Sequence, residues 1–320
     1  MKNSIYIFFL ATALLTVSCE KAIDFRGEEQ SPRVVVVSEP EPDTNLAVRL
    51  TYSRFFLSGS RFSVIGNADV KVVAGGVTYT GVFDDSVYVF PYSPAEGDSI
   101  SLTVRMQNGG EDTVVTATTR MPHRPSVTVR EAVGDNFRFV LNDRPGERNY
   151  YRMQVQSIDT TVICYDSEGN YVYDSDDPSV VSRDTVVDTT SQFFTCSDAV
   201  ITSDATAVLN FEGQENYYVL IFNDEMFDGQ NREITIKCEG NATMEYYKSS
   251  VRKSVSSRIF LYIEALSKEA YMYELSRYKQ QEGDIFMTEP VQVQSNIDGG
   301  IGVFGAKATR VVELGTVGDR

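Results

Sequence analysis

Hydrophobic and polar positions alternate in short runs along most of this chain, and the runs are rich in Val, Ile, Thr, Tyr and Phe. Alternation over about four to eight residues, closed by Gly, Pro, Asn or Asp, is the pattern of half-buried strands. Arg33-Val-Val-Val-Val-Ser38 is the first run, stopped by Glu39-Pro-Glu-Pro-Asp43. Runs over residues 46–55, 68–73, 76–83, 87–90, 99–106 and 113–119 follow, parted by Gly-Gly, Asp-Asp, Ala-Glu-Gly-Asp and Asn-Gly-Gly turns. Strands at that spacing predict an antiparallel sandwich over residues 32–121. Met121-Pro-His-Arg-Pro125 then predicts an extended linker, because each proline also restricts the residue before it.

Past the linker, strands are predicted over residues 126–130, 136–141, 150–158, 207–211, 217–223 and 233–238. Residues 257–266 alternate Ile259, Leu261 and Ile263 against Phe260, Tyr262 and Glu264, a strand with one aromatic face. The period then changes. Tyr271, Leu275 and Tyr278 form an apolar stripe at helical spacing, Ser267 is a good N-cap, and Glu269 suits the first turn. Gly283-Asp284 stops the run, so a helix is predicted over residues 268–281. The predicted fold is mainly β, with two antiparallel β-sandwich-like domains. The second, over residues 126–320, carries one α-helix near the C-terminus.

Two stretches depart from simple alternation. Residues 166–191 are acidic and Ser/Thr-rich, and lie between Thr161-Val-Ile-Cys164 and Phe193-Phe-Thr-Cys196, which read as the two arms of a long hairpin. A solvated or mobile loop is expected there. Asp166, Glu168, Asn170, Asp174, Asp176 and Asp177 offer oxygen ligands, but without the ordered spacing and terminal bidentate Glu of a calcium loop. The second stretch is Ser295-Asn-Ile-Asp-Gly-Gly-Ile-Gly-Val-Phe-Gly-Ala306. Gly300-Ile-Gly-Val-Phe-Gly305 matches the spacing of a dinucleotide fingerprint, yet strand-like residues follow it where a helix N-terminus is needed. Gly299, Gly300, Gly302 and Gly305 are better explained by positive φ and close backbone approach, locking the helix onto the sheet.

Residues 1–18 change the picture of where the protein acts. Met1-Lys-Asn3 is a short basic start, residues 5–17 are apolar, and Ser18-Cys19 precedes a polar stretch. The apolar run is too short for a spanning helix and predicts a secretory leader. A small residue followed by Cys resembles a bacterial lipobox, although Thr16 stands where leucine is usual; a plain secretory signal is the alternative. Lipidation of Cys19, with residues 19–31 as a tether, would hold the protein on a membrane. The whole chain carries net charge −16, and without Lys2 the balance is 28 basic against 45 acidic residues. That sign disfavours nucleic acid as a partner.

Candidate chemistry is sparse. The single histidine, His123, lies in the linker with no identifiable base-and-orienter partners. Asp224, Glu225 and Asp228 invite a paired-carboxylate glycosidase reading, which their unknown separation leaves without force beside an ordinary acidic turn. Cys164 and Cys196 are plausible disulfide partners in an oxidising envelope, leaving Cys238 free; Cys196 with Cys238 is the alternative pair. No catalytic set, metal site or cofactor is predicted.

Several patches together resemble one family, the Bacteroidetes outer-membrane lipoproteins of domain of unknown function 4249. They are Cys19-Glu-Lys21, Pro145-Gly-Glu-Arg-Asn-Tyr-Tyr-Arg152, Asp224-Glu-Met-Phe-Asp-Gly-Gln230, Leu266-Ser-Lys-Glu-Ala-Tyr271 and residues 295–306. The first domain also looks like a prealbumin- or fibronectin-type module. The family resemblance implies a lipidated two-part β protein of the outer membrane, often accompanying a TonB-dependent transporter, and implies no catalytic residues. Asp-Ser/Thr triplets resemble the O-glycosylation site of the same phylum, at Ser86, Ser99, Thr113, Thr160, Thr185 and Thr189; ordinary turn and strand-entry pairs are the other reading.

Overall fold

A computed structural model describes residues 31–55, 61–108, 111–172, 177–204, 206–209, 217–238, 255–282 and 292–317. The leader, Cys19 and the tether as far as residue 30 lie outside the described residues.

The first unit follows from alternating strands that each present one apolar face. β1 (Val34–Ser38), β2 (Ala47–Tyr52), β5 (Val82–Asp84) and β6 (Val87–Val89) form one sheet in the order β1-β2-β6-β5. β3 (Asp69–Ala74), β4 (Val77–Thr80), β7 (Ser99–Asn108) and β8 (Glu111–Arg120) form the other, ordered β4-β3-β7-β8. Val34, Val36, Val48 and Leu50 from the first sheet share a core with Val70, Val72, Ile100 and Leu102 from the second.

The second unit is built on a long strand. β9 (Ser126–Val133) and β10 (Asn136–Asn142) form a hairpin, and β11 (Tyr150–Tyr165) runs for 16 residues. β12 (Tyr171–Val172), β13 (Ser182–Gln192), β14 (Thr195–Cys196), a short helix α1 (Ala199–Asp204), β15 (Thr206–Leu209), β16 (Tyr217–Asn223) and β17 (Asn231–Lys237) follow. β18 (Val255–Leu266) leads into α2 (Lys268–Glu282), then β19 (Ile301–Phe304) and β20 (Lys307–Val317). One sheet is ordered β14-β17-β10-β9 and the other β15-β16-β11-β18-β20, with β12 and β13 beside the far half of β11. Phe137, Phe139, Met153, Phe222, Ile234, Leu261 and Ile263 fill the core between them. The protein is mainly β with antiparallel sheets and a helix near the C-terminus, as the alternation predicts.

Three expectations need correction. First, the acidic insert is not simply a loop. β13 pairs with β11 from Val155↔Gln192 to Tyr165↔Ser182, so most of residues 182–191 is strand, though exposed on both faces. Second, that register separates the cysteines. Cys164 faces Arg183, and Cys196 lies 13 residues further on, where β14 pairs it with Ile236 in the other sheet. Cys164, Cys196 and Cys238 are all buried thiols outside any disulfide, so neither expected bridge is formed. Burial pushes the Cys196 thiol up to about 11, with Asp198 adding to it against a backbone hydrogen bond and Arg232.

The third correction concerns the boundary at residues 121–125. β19 does not stay with the second unit. It pairs in parallel with β1, Val35↔Ile301 to Ser38↔Phe304, and becomes the edge strand of the first sheet. Ile297, Phe304 and Ala306 belong to the first core. The physical reason is that β1 would otherwise leave one row of backbone groups unpaired.

Candidate functional site

The seam between the units is assembled around the glycine segment. Gly302 has φ of 113°, and a Cβ there would fall inside the carbonyl oxygen of Val36 across the parallel pair. A Cβ on Gly299 would lie 2.5 Å from the carbonyl oxygen of Val114, and one on Gly300 would lie 2.8 Å from that of Val34. Gly305 admits α2 instead, since a Cβ there would lie 2.7 Å from that of Ala270. Asn296 braces the turn, donating to the Phe304 carbonyl and accepting from the Phe304 N–H at 3.0 Å.

Ser267 ties the helix to this turn. Its Oγ accepts from the Ala270 N–H at 3.2 Å, as an N-cap should, and also from the Ala306 N–H at 3.1 Å. α2 therefore carries Tyr273, Glu274 and Arg277 across the outer side of the first sheet.

Behind this contact sits a charge network drawn from four elements. Arg152 of β11 is hydrogen-bonded to Glu264 of β18 and lies 3.9 Å from Glu274 of α2. Lys307 reaches Glu264 at 3.1 Å, and Arg277 reaches Glu274 at 2.6 Å. Burial opposes ionisation of Glu264, but the hydrogen bond and charge of Arg152, aided by Lys307, hold its carboxyl below the usual value. Glu39, just after β1, faces the same network and behaves oppositely. Burial pushes its carboxyl up, with Glu274 and Glu264 adding to the effect against Arg152 and Lys307.

Glu39 opens onto a cleft of about 510 Å³ between α2 and the first sheet. Val37 and Val303 give it an apolar wall, while Glu39, Arg49, Tyr273 and Arg277 supply polar groups. The cleft is shallow and open to solvent, and it lies where the two units meet. The sequence signal for it was weak: Glu39 reads as part of a Pro-Glu strand break, and Arg49 as one polar position in an alternating run.

The acidic cluster resolves differently. Glu225 turns away to Arg148 at 3.3 Å, while Asp224 and Asp228 converge with Asp143, their carboxylate oxygens within 4.8 Å of one another. Each carboxylate is an acceptor for the surrounding loops. Asp143 takes hydrogen bonds from the Tyr151 hydroxyl at 2.6 Å and the Gly229 N–H at 2.8 Å. Asp224 takes them from the Asn149 N–H and side chain, and Asp228 from the Gly146 N–H. Burial pushes the Asp224 carboxyl up, with Asp143 and Asp228 adding to it against the Asn149 donors. The cluster thus fastens residues 143–152 to residues 224–230, two patches that stood apart in the sequence. Asp143 was missed because it reads as an ordinary turn residue.

Other predicted positions disperse. His123 Nδ1 lies 3.2 Å from Glu96. The Asp166 carboxylate folds back onto the N–H groups of Glu168 and Asn170, and Asp177 onto that of Ser179. Asp174 and Asp176 lie outside the described residues. Ser99, Thr185 and Thr189 are exposed, whereas Ser86, Thr113 and Thr160 are half-buried.

The family model described as Domain of unknown function (DUF4249) matches residues 20–311. The chain belongs to this family. The DUF4249 match begins beside Cys19 and ends inside β20, so it takes in both units and the seam. No curated protein matches the chain. Among solved structures, one described as manganese lipoxygenase of Gaeumannomyces graminis with partial zonadhesin of Komagataella pastoris is 10% identical. It covers 90% of this chain and 95% of that chain with a TM-score of 0.19, too low to carry an argument about fold or activity.

Proposed function

We propose that this protein is a non-enzymatic outer-membrane lipoprotein that accompanies a TonB-dependent β-barrel transporter, capturing a ligand for it or gating it. The observation that carries the reading is the open cleft between α2 and the first sheet, where two interlocked β units meet. The lipobox at Cys19 and the DUF4249 membership support the address. From Cys19 to Val34 is a span of at most about 50 Å when fully extended, so the fold would stay near the membrane.

Two measurements test this. Labelled palmitate should enter the wild-type protein and be lost in Cys19→Ala; label retained in the variant would remove the anchor. Pull-down from native membranes in mild detergent should recover a β-barrel protein, and repeated recovery of none would sink the transporter role. A second reading, a structural or adhesive surface protein, is favoured by the β11–β13 arm, where Val181 is 65% exposed and Val187 60%. Loss of matrix binding on Val181→Lys with Val187→Lys, with no barrel recovered from wild type, would prefer that reading.

A further inference from the structure

The outer face of the first sheet is apolar, like the face it turns to the core. Val36, Val48 and Tyr88 are buried inward, so their strand neighbours point outward. Register sets those neighbours in rows: one runs Val82, Val89, Ala47 and another Val64, Thr51, Val35. Between the rows Val37 stands beside Arg49, and Val87 beside Asp84. Arg49 and Asp84 are the charges among these paired residues. α2 lies over the face beside β19, where Val303 is buried, but Val37, Val64 and Val82 remain 44%, 42% and 67% exposed. Sheets with two apolar faces are covered on both, and an open apolar face of this kind marks a contact with a partner or a membrane.

We propose that this face lies against the outer-membrane bilayer, its aliphatic side chains set into the headgroup layer. The assignment rests on reading the protein as one held at a membrane. The chain brings its tether to this sheet. The Arg33 N–H donates to Ser53 Oγ at 2.9 Å immediately before β1, so the residues ahead of it join the sheet at the end of the Val64 row. Phe62, 60% exposed, stands at the same corner with the Arg54 guanidinium 4.6 Å over its ring. Arg33 and Arg61 are exposed there as well. An aromatic ring among arginines suits the boundary between acyl chains and phosphates. Arg49, in the middle of the face, distinguishes a bilayer from a second copy of this chain. Packed copies would take its charge out of water, whereas at a bilayer its stem carries the guanidinium to a headgroup phosphate. The net charge of −16 turns most of the molecule away from anionic lipid, and the face edged by arginines is left to meet it.

The chain has no Trp, so one introduced tryptophan reports on one place. Full-length protein purified from membranes and carrying Val82→Trp is reconstituted into vesicles of phosphatidylethanolamine and phosphatidylglycerol. Its emission should be quenched by brominated acyl chains, while that of Val77→Trp, exposed on β4 in the other sheet, should not. Equal quenching at the two positions, or none at position 82, overturns the proposal. The mature chain with Cys19→Ser should still float with the same vesicles. Phe62→Asp with Val64→Asp should weaken that binding about tenfold or more, the scale of burying one such side chain. Absence of flotation, or flotation unchanged by the two substitutions, overturns the proposal too. So does a wild-type dimer in light scattering that they dissociate, which would give the face to a second copy. Flotation without palmitate on Cys19 keeps this face and removes the anchor; palmitate without quenching at position 82 does the reverse.

Discussion

Gly302 shows how one residue position can carry a long-range contact. Its φ of 113° is unfavourable to any side chain, and a Cβ would also strike the Val36 carbonyl. Gly146 has φ of 77° with nothing within 4 Å of a Cβ, so it isolates the backbone component. Gly146→Ala should cost about 1 kcal/mol, and Gly302→Ala on the order of 3 kcal/mol or more, because strain and overlap combine. Thermal unfolding checks this, and equal shifts in Tm would remove the steric role. The need for small residues at 299–305 was legible in the sequence. The residue approached was not, because alternation tells a strand which face to bury and not which strand to pair with. The cysteines share that blindness, because their partnership depended on a register invisible in spacing alone.

At the level of elements, α2 is where sequence and structure agree most closely, since cap and stripe both act within one local segment; the expected stop at Gly283-Asp284 lies outside the described residues. Ser267 was readable as an N-cap, but its second bond to the Ala306 N–H was not. Ser267→Ala should therefore cost about 2 kcal/mol, more than an ordinary cap, because a buried N–H also loses its acceptor. A loss no larger than that of an exposed cap, read from urea midpoints, would count against it. β13 was obscured for the opposite reason. Thr185, Val186, Val187 and Thr189 have strand propensity, yet both faces are exposed, so no burial pattern marks them among the acids. The charge network makes a prediction about pH at this scale. Glu264 is held below its ordinary 4.5, so its stabilisation is present at neutral pH and lost as pH falls through the folded value. Glu39 is held above 4.5, so its contribution is fully present below 4.5 and lost as pH rises through the raised value. Near pH 7 Glu264→Gln should destabilise and Glu39→Gln should stabilise; near pH 4 and below both effects should shrink. Urea unfolding of each variant at the two pH values decides it, and effects independent of pH would separate the network from stability.

The molecule as a whole is closed by its two ends. A division at residues 121–125 describes the linker, but β19 carries the chain back and places Phe304 and Ala306 in the first core. From there β20 returns to the second unit beside β18, pairing Leu266↔Lys307 to Ser257↔Val317. A chain stopped at residue 291 would lose both edge strands at once. It would uncover the parallel edge of β1 in one unit and the β18 edge in the other, and unpaired edges template aggregation. Such a truncation should accumulate as insoluble protein, and residues 31–125 expressed alone should fare no better, because they lack Ile297, Phe304 and Ala306. In the full chain, far-UV circular dichroism and tyrosine fluorescence should report one coincident thermal transition, since neither unit is complete without the same returning segment. Two separated transitions, or a native-like spectrum from residues 31–125, would mean that the first core closes without β19. Tight coupling has a consequence for the cleft as well. Its floor belongs to the first unit and its helical wall to the second, so a ligand held there would be expected to raise the temperature of that single transition rather than split it.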